Sequence, residues 1–363
     1  STVLRLANGH LAVIGGTQND ISQPYIEFLP PSPDCPFGAE CLIPIHLLKE
    51  SGIDGVKFPF AHVLPSGRIF LLAGAHSKIL DPLQRFTPAE DIPQLPPLGL
   101  SIHNPKGPSR TYPMGGASVL LPLSSRNGWR AEILVCGGGS GSWMQKVPGA
   151  PNMIAPALTS CGRIAPEDPD AEWEYEEMPI ARTMGTFVIL PDRKVLFLNG
   201  AQKGIAGYNA AIKPAHDAVL YDMDAPLGMR WRVLKGSDIA RMYHSTALLT
   251  PTAEILLAGS SPAKSPLYPS LYPSENRLEL YTPAYLQTGC PRPSILPSTI
   301  SHGTSASSPI PYSSTITLTA TLPNRPPFGA SQPSRKRLEV VLIEPGYAGH
   351  GVVSGQRGVE LDL

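Results

Sequence analysis

A short apolar run that ends in glycine recurs five times along this chain of 363 residues, and it restricts the fold more than any other feature. The runs are Asn8-Gly-His-Leu-Ala-Val-Ile-Gly-Gly16, Ser66-Gly-Arg-Ile-Phe-Leu-Leu-Ala-Gly74, Ala131-Glu-Ile-Leu-Val-Cys-Gly-Gly-Gly139, Asp192-Arg-Lys-Val-Leu-Phe-Leu-Asn-Gly200 and Ala253-Glu-Ile-Leu-Leu-Ala-Gly259. Their final glycines lie 58, 65, 61 and 59 residues apart. Each run has the length of a buried strand, with turn residues before it and glycine after it. A second strand-like run precedes it, as in Phe187–Leu190 and Thr246–Leu249.

Two of these units align closely. Ala181-Arg182 and Leu190 match Ala240-Arg241 and Leu249 at an offset of 59, while Trp173 matches Trp231 at 58, which places a one-residue gap between them. A repeat of this length with a tryptophan and a strand-ending Gly-Gly signals a kelch-type β-propeller. Only a short stretch near Ile45–Glu50 reads as helical. The repeat fades after Leu280-Tyr-Thr-Pro-Ala-Tyr285, and a Pro/Ser-rich stretch from Pro291 to Ser314 follows. The runs Thr315–Ala320 and Leu338–Ile343 then suggest a second all-β domain of Ig-like sandwich type, with too few strands to close. The expected division is a propeller over 1–284 and a partial sandwich over 285–363.

Lys plus Arg and Asp plus Glu are equal at 29 each, which argues against an electrostatic nucleic-acid or membrane-surface binder. No apolar run reaches the roughly 18 residues that span a bilayer. No signal peptide opens the chain, since Ser1-Thr2-Val3-Leu4 already reads as a strand, so the expected start is a mature or truncated one. The 42 prolines and 34 glycines, without a period of three, imply many turns. Of the five cysteines, Cys35 with Cys41 and Cys136 with Cys161 could form disulfides in a secreted protein, leaving Cys290 over; five buried thiols is the other reading.

One difference between the aligned units points to a site. Where one reads Thr183-Met184-Gly185, the next reads Met242-Tyr243-His244. A requirement of the fold acts on both units, whereas a site acts on one. Neighbours on a strand point to opposite faces, so Tyr243 and His244 share a ligand only where the strand has ended or bulged. A second motif, Gly346-Tyr-Ala-Gly-His350-Gly-Val352 followed by Gln356-Arg357, adds another imidazole. One phenolate and two imidazoles suit Cu(II). The remaining histidines, at 10, 46, 62, 76, 103, 216 and 302, read as ordinary structural or surface residues.

At these places the chain resembles the glyoxal oxidase and galactose oxidase family of copper radical oxidases. The resemblance covers Arg241–Leu249, Ala258–Pro262, Tyr272–Leu286 and Val341–Val352. It is nearest to glyoxal oxidases, through Leu198-Asn-Gly-Ala-Gln-Lys-Gly-Ile-Ala-Gly207 and the Tyr-Pro-Ser-Glu block. It implies a seven-bladed propeller of which about five blades are visible, with a hairpin of the second domain entering the axis. It implies Cu(2+) held by Tyr243 as axial ligand and by His244 and His350 in the equatorial plane, with Tyr243 also the catalytic base. The implied activity is oxidation of small aldehydes or primary alcohols by O2, giving hydrogen peroxide, in a secreted monomer.

The family's second redox centre is a tyrosine crosslinked to cysteine, found in an Arg-x-Tyr-x-Ser motif. On the alignment through Ser1–Gly16 that tyrosine falls just before Ser1 and the cysteine a whole blade earlier, so this chain carries neither. Arg110-Thr-Tyr112-Pro offers a tyrosine, but it matches a non-ligand strand of the family. Trp143 reads as loop packing on the wrong repeat. The expectation is therefore an inactive piece of a longer oxidase, truncated at both ends. The alternative is a non-catalytic kelch module that binds a partner through its loops.

Overall fold

The computed structural model describes residues 1–31, 42–88, 109–139, 145–146, 153–262, 270–287, 292–296, 314–321, 339–350 and 352–363. Cys35, Cys41, Cys290 and Trp143 lie outside them. Five antiparallel sheets follow one another in the order of the repeats, four with four strands and the fifth with three. Each glycine-ended run is the second strand of its sheet: Leu11–Ile14, Ile69–Ala73, Ile133–Cys136, Val195–Leu198 and Ile255–Ala258. The first strands are Thr2–Arg5, Phe60–Val63, Ala117–Leu120, Thr186–Ile189 and Thr246–Leu249. Each packs against the first strand of the next sheet, so these five form the inner wall of a propeller. The propeller expected from the repeat is present, as blades one to five.

Apolar side chains fill the spaces between blades. Leu4, Ile14 and Ile26 of blade one meet Ala61, Ile69 and Leu71 of blade two, and similar clusters join blades two and three and blades three and four. Cys136 and Cys161 sit opposite each other on adjacent strands of blade three and form a disulfide. The helical stretch expected near Ile45–Glu50 is His46–Glu50, and a second short helix, Gly52–Lys57, follows it. Gly52 and Gly55 hide that second turn from a propensity reading. Among the described residues no helix is long and apolar enough to cross a membrane.

Three arginines, one before the first strand of each of blades three, four and five, are among the most deeply buried side chains of the protein. Each spans the ends of the second and third strands of its own blade. Arg110 donates to the carbonyls of Gly137 and Ser160 at 2.8 and 3.1 Å. Arg182 donates to those of Asn199, Ala215 and Asp217. Arg241 donates to those of Gly259 and Arg277 and pairs with Glu279 at 2.7 Å. The forked donors of a guanidinium reach carbonyls on two strand ends at once, which a single point charge such as Lys would do less well.

The clamps also explain the glycines. Gly138 donates to the carbonyl of Arg182, and Gly200 to that of Arg241, so each strand end is tied to the entry loop of the following blade. A Cβ on Gly137 would lie 2.1 Å from the Arg182 carbonyl oxygen, and one on Gly200 2.2 Å from that of Thr183. Both residues also have φ above +60°, where side chains are strained.

The last described segment is a hairpin. Val340–Glu344 pairs with Arg357–Leu361, and Tyr347–Gly349 with Val352–Ser354. Val352–Ser354 touches the inner strands of blades one to four, and Tyr347–Gly349 that of blade five. The hairpin therefore occupies the axis, and residues Glu339–Leu363 form one compact unit with Ser1–Tyr281. Its base is pinned by Glu360, which accepts from Ser124 at 2.6 Å and pairs with Arg193 at 3.3 Å, both arginine and carboxylate nearly inaccessible. Thr282–Leu338 is a separate unit. Its described residues give the turn Ala284–Leu286 and one short strand pair, Ser294–Ile295 with Ala320–Thr321.

Two predictions test this account. Arg182→Met should cost about 3 kcal/mol in urea unfolding, because it strips charge-assisted hydrogen bonds from three buried carbonyls; a change below about 0.5 kcal/mol would show the clamp to be dispensable. His62, buried against Phe70 and bonded to Ser118 Oγ, is held down to about 3, first by burial and then by Arg357. The unfolded chain takes up a proton near pH 6.5 that folded His62 refuses, so stability falls as the pH drops through that value. Acidifying from pH 7 to pH 5 should cost about 2 kcal/mol through His62, and His62→Gln should flatten that slope.

Candidate metal centre

Tyr243 and His244 do not lie on a strand. They form the turn between the Arg241 clamp and the strand Thr246–Leu249. Ser245 closes that turn, its N–H and its hydroxyl both donating to the Met242 carbonyl. His244 has φ +64°, in the left-handed region. This conformation defeats the alternation of a strand and folds its ring over that of Tyr243, with centroids 3.9 Å apart and planes 26° apart. A left-handed histidine costs about 1 kcal/mol or more, and such strain gathers at functional sites. In blade four the position equivalent to His244 is Gly185, whose Cβ would strike Phe197.

His350 arrives from the other direction, at the tip of the axial hairpin, also with a left-handed backbone, φ +53°. Its ring lies 4.7 Å from that of His244 and 5.4 Å from that of Tyr243. The three side chains singled out in the sequence thus converge although more than a hundred residues separate 243 and 244 from 350. Phe58 stacks on His350 at 4.2 Å.

Two tyrosines complete the surroundings. Tyr112 sets its ring edge-on to His350 at 6.2 Å, and its hydroxyl shares a hydrogen bond with Tyr243. Lys57 Nζ lies 5.3 Å from the Tyr112 ring. Tyr208, at the exposed surface, stands perpendicular to both Tyr243 and His244. The sequence sets Tyr112 aside as a residue of a non-ligand strand, and it gives no sign of Tyr208, which directly follows the quoted Leu198–Gly207 segment. The one available signal was position: Tyr112 follows Arg110 by two residues, as Tyr243 follows Arg241. Among the described residues both cysteines, Cys136 and Cys161, are bonded to each other, so neither sulfur is available to crosslink a tyrosine.

The donor set fits a metal ion. His244 Nδ1 is spent on the Ser261 carbonyl at 3.1 Å, which fixes the ring and leaves Nε2 free, the arrangement common to metal-bound histidines. Among the described residues His350 Nδ1, which is buried, has no hydrogen-bond partner. Burial, then His244, then the Ser1 ammonium hold the His350 imidazole down to about 4, so it is neutral and able to ligate at ordinary pH. Burial, with Tyr112 and Tyr208 nearby, pushes the Tyr243 phenol above its usual range. A bound cation would reverse that shift. Among the described residues no group of three or more His, Cys, Asp or Glu side chains could hold a metal, so the third protein donor of a site here would be the phenol oxygen.

Comparison with known proteins places the chain. The model of the family described as "Glyoxal oxidase N-terminus" matches residues 1–285. The aldehyde oxidase GLOX of Vitis pseudoreticulata is 35% identical over 282 residues, covering 77% of this chain and 49% of that protein. The putative aldehyde oxidase Art an 7 of Artemisia annua is 31% identical over 364 residues, covering 97% of this chain and 57% of that protein. The chain thus spans about half the length of these curated relatives. A fungal alcohol oxidase of the AA5 family, solved in complex with copper, matches with a TM-score of 0.54 at 17% identity, over 99% of this chain and 75% of that one, which shows a shared fold. With a five-bladed propeller, an axial hairpin and a Tyr-His-His cluster where the two meet, this chain belongs to the glyoxal oxidase family.

Proposed function

We propose that the chain is the metal-holding part of a secreted copper radical oxidase of glyoxal oxidase type, which oxidises a small aldehyde or primary alcohol with O2 and yields hydrogen peroxide. The observation that carries this reading is the convergence of Tyr243, His244 and His350 on one point. The retention of these three donors counts against a purely partner-binding kelch module, which needs no such set. Secretion is supported by the Cys136–Cys161 disulfide. The proposal keeps a propeller over 1–284 and an Ig-like domain over 285–363, with the hairpin from Glu339 packed into the propeller axis.

Tyr243, His244 and His350 would hold the ion. Cu(II), when bound there, accepts one electron and makes a nearby phenol acidic. The work of the chain follows from its own atoms. Tyr243 Oη would take the proton of the substrate hydroxyl; its ring packs beneath exposed Tyr208. Tyr112, bonded to Tyr243, orients that hydroxyl. Phe58 stacks on the His350 imidazole and Tyr208 stands edge-on to that of His244, which limits how the two rings can turn. Oxidation of the substrate removes two electrons, and the second acceptor of the family, a cysteine-linked tyrosine, corresponds to a position just before Ser1.

Two outcomes are expected of the purified chain. Titration with Cu(II) should give a one-to-one complex whose electron paramagnetic resonance shows coupling to two nitrogens, reduced to one by His244→Ala or by His350→Ala, with affinity weakened at least about tenfold. Cu(II) bound elsewhere, with neither variant altering the signal, would overturn the site. The loaded chain should release no hydrogen peroxide from glyoxal or glycerol, whereas turnover would show that the radical acceptor lies within these residues.

A further inference from the structure

The pair Gln356-Arg357, next to the His350 motif in sequence, is not part of the donor set, yet both side chains are committed. They lie at the start of the returning arm of the hairpin, where neighbours point to opposite sides. Gln356 is buried. Its Oε1 accepts from the main-chain N–H of Ile189, on the inner strand of blade four, at 3.0 Å, and its Nε2 donates to the Pro345 carbonyl, on the other arm of the hairpin, at 3.2 Å. Arg357 Nη2 donates to the Val63 carbonyl, at the end of the inner strand of blade two, at 2.9 Å. Two adjacent residues thus tie the hairpin to two different blades, and Gln356 also ties its arms together just below the turn.

Blade five is held differently. The hairpin touches its inner strand, but among the described residues no hydrogen bond joins them. On the side of Tyr243 and His244 the hairpin meets blade five through ring and van der Waals contacts alone; its described hydrogen bonds run to the other blades, including one from the Tyr347 hydroxyl to the Val3 carbonyl of blade one. The turn itself is closed against the same residue, since a Cβ on Gly346 would lie 2.6 Å from the Gln356 nitrogen. We infer that Gln356 and Arg357 are positioning residues, a crossbar between blades four and two that sets the depth of the turn from Gly346 and so holds the His350 imidazole against His244 and Tyr243. The copper consequence of this inference rests on the function proposed above; the placement of His350 does not.

The test uses the whole chain with Gln356→Met, Arg357→Met and Arg357→Lys, and with His350→Ala as reference. Three quantities are read: amide hydrogen exchange by segment, the nitrogen coupling of bound Cu(II), and the thermal midpoint. Gln356→Met should speed exchange at 346–350 at least tenfold while 246–258 keeps its protection. It should weaken Cu(II) binding by about 10–100-fold and reduce two coupled nitrogens to one, as His350→Ala does. Arg357→Met should act in the same direction, and Arg357→Lys, still a donor toward Val63, should restore most of the affinity. The inference is overturned if exchange at 346–350 is unchanged, or if it rises evenly over all blades in step with the thermal midpoint, which is what a merely structural role predicts. If the unaltered chain shows no nitrogen-coupled copper, the copper reading has failed, and the exchange pattern alone decides the crossbar. Should Gln356→Met not fold, Gln356→Glu keeps the acceptor for Ile189 and loses the amide donor to Pro345, and takes its place in the same comparison.

Discussion

The burial of a guanidinium at the entry to a blade is the interaction on which this structure turns. Arg110, Arg182 and Arg241 are inaccessible, and what surrounds them is mostly main-chain carbonyl rather than carboxylate. Desolvating a charge is expensive unless every donor is used. A strand end, for its part, leaves carbonyls without partners. Each arginine gives those carbonyls their donors, with Nε of Arg182 left unpaired among the described residues, and in doing so fixes the path of the loop that follows it. The strand-ending glycines belong to the same arrangement: Gly138 and Gly200 donate to the carbonyl of the next blade's arginine, and a Cβ on Gly137 or Gly200 would strike the carbonyl of Arg182 or Thr183.

The candidate metal centre uses that rigid entry loop in one blade. In blade four the residues after the arginine are Thr183, Met184 and Gly185, and they pack. In blade five they are Met242, Tyr243 and His244. The left-handed backbone of His244 turns two neighbouring side chains to the same side, which a strand forbids. The axial hairpin then contributes His350 from a segment that is remote in sequence and central in space. Strained backbone at both histidines, an orphaned imidazole nitrogen and a phenol bonded to a second phenol all fall within one small region. Structural packing alone gives no reason for that coincidence.

Much of this was legible in the chain itself. The five glycine-ended runs located the second strand of every blade, and the departure of Tyr243-His244 from its sister unit marked the rim position. For Cys136 and Cys161 the sequence left a disulfide and free thiols both open, and the structure joins them. The second of the short helices was not legible, because its glycines argue against it. Nor was the role of Arg110, although the shared Ala-Arg pair of the next two blades was in plain view; a charged residue reads as surface until its acceptors are known. Tyr112 and Tyr208 could be assigned to the site only from coordinates, since they come from blades three and four and nothing local distinguishes them from packing residues.

By itself the sequence determined the repeat, the strand content, the blade order and the donor types, because these follow from periodicity, from where only glycine is sterically allowed, and from side-chain chemistry. Tertiary structure decided how the donors meet. The ring of blades brings the turns of different repeats to one end of the axis, and the hairpin that enters it places His350 beside residues from which more than a hundred positions separate it. That placement depends on burial and on hydrogen bonds between main-chain groups of distant strands, which no local pattern of residues encodes.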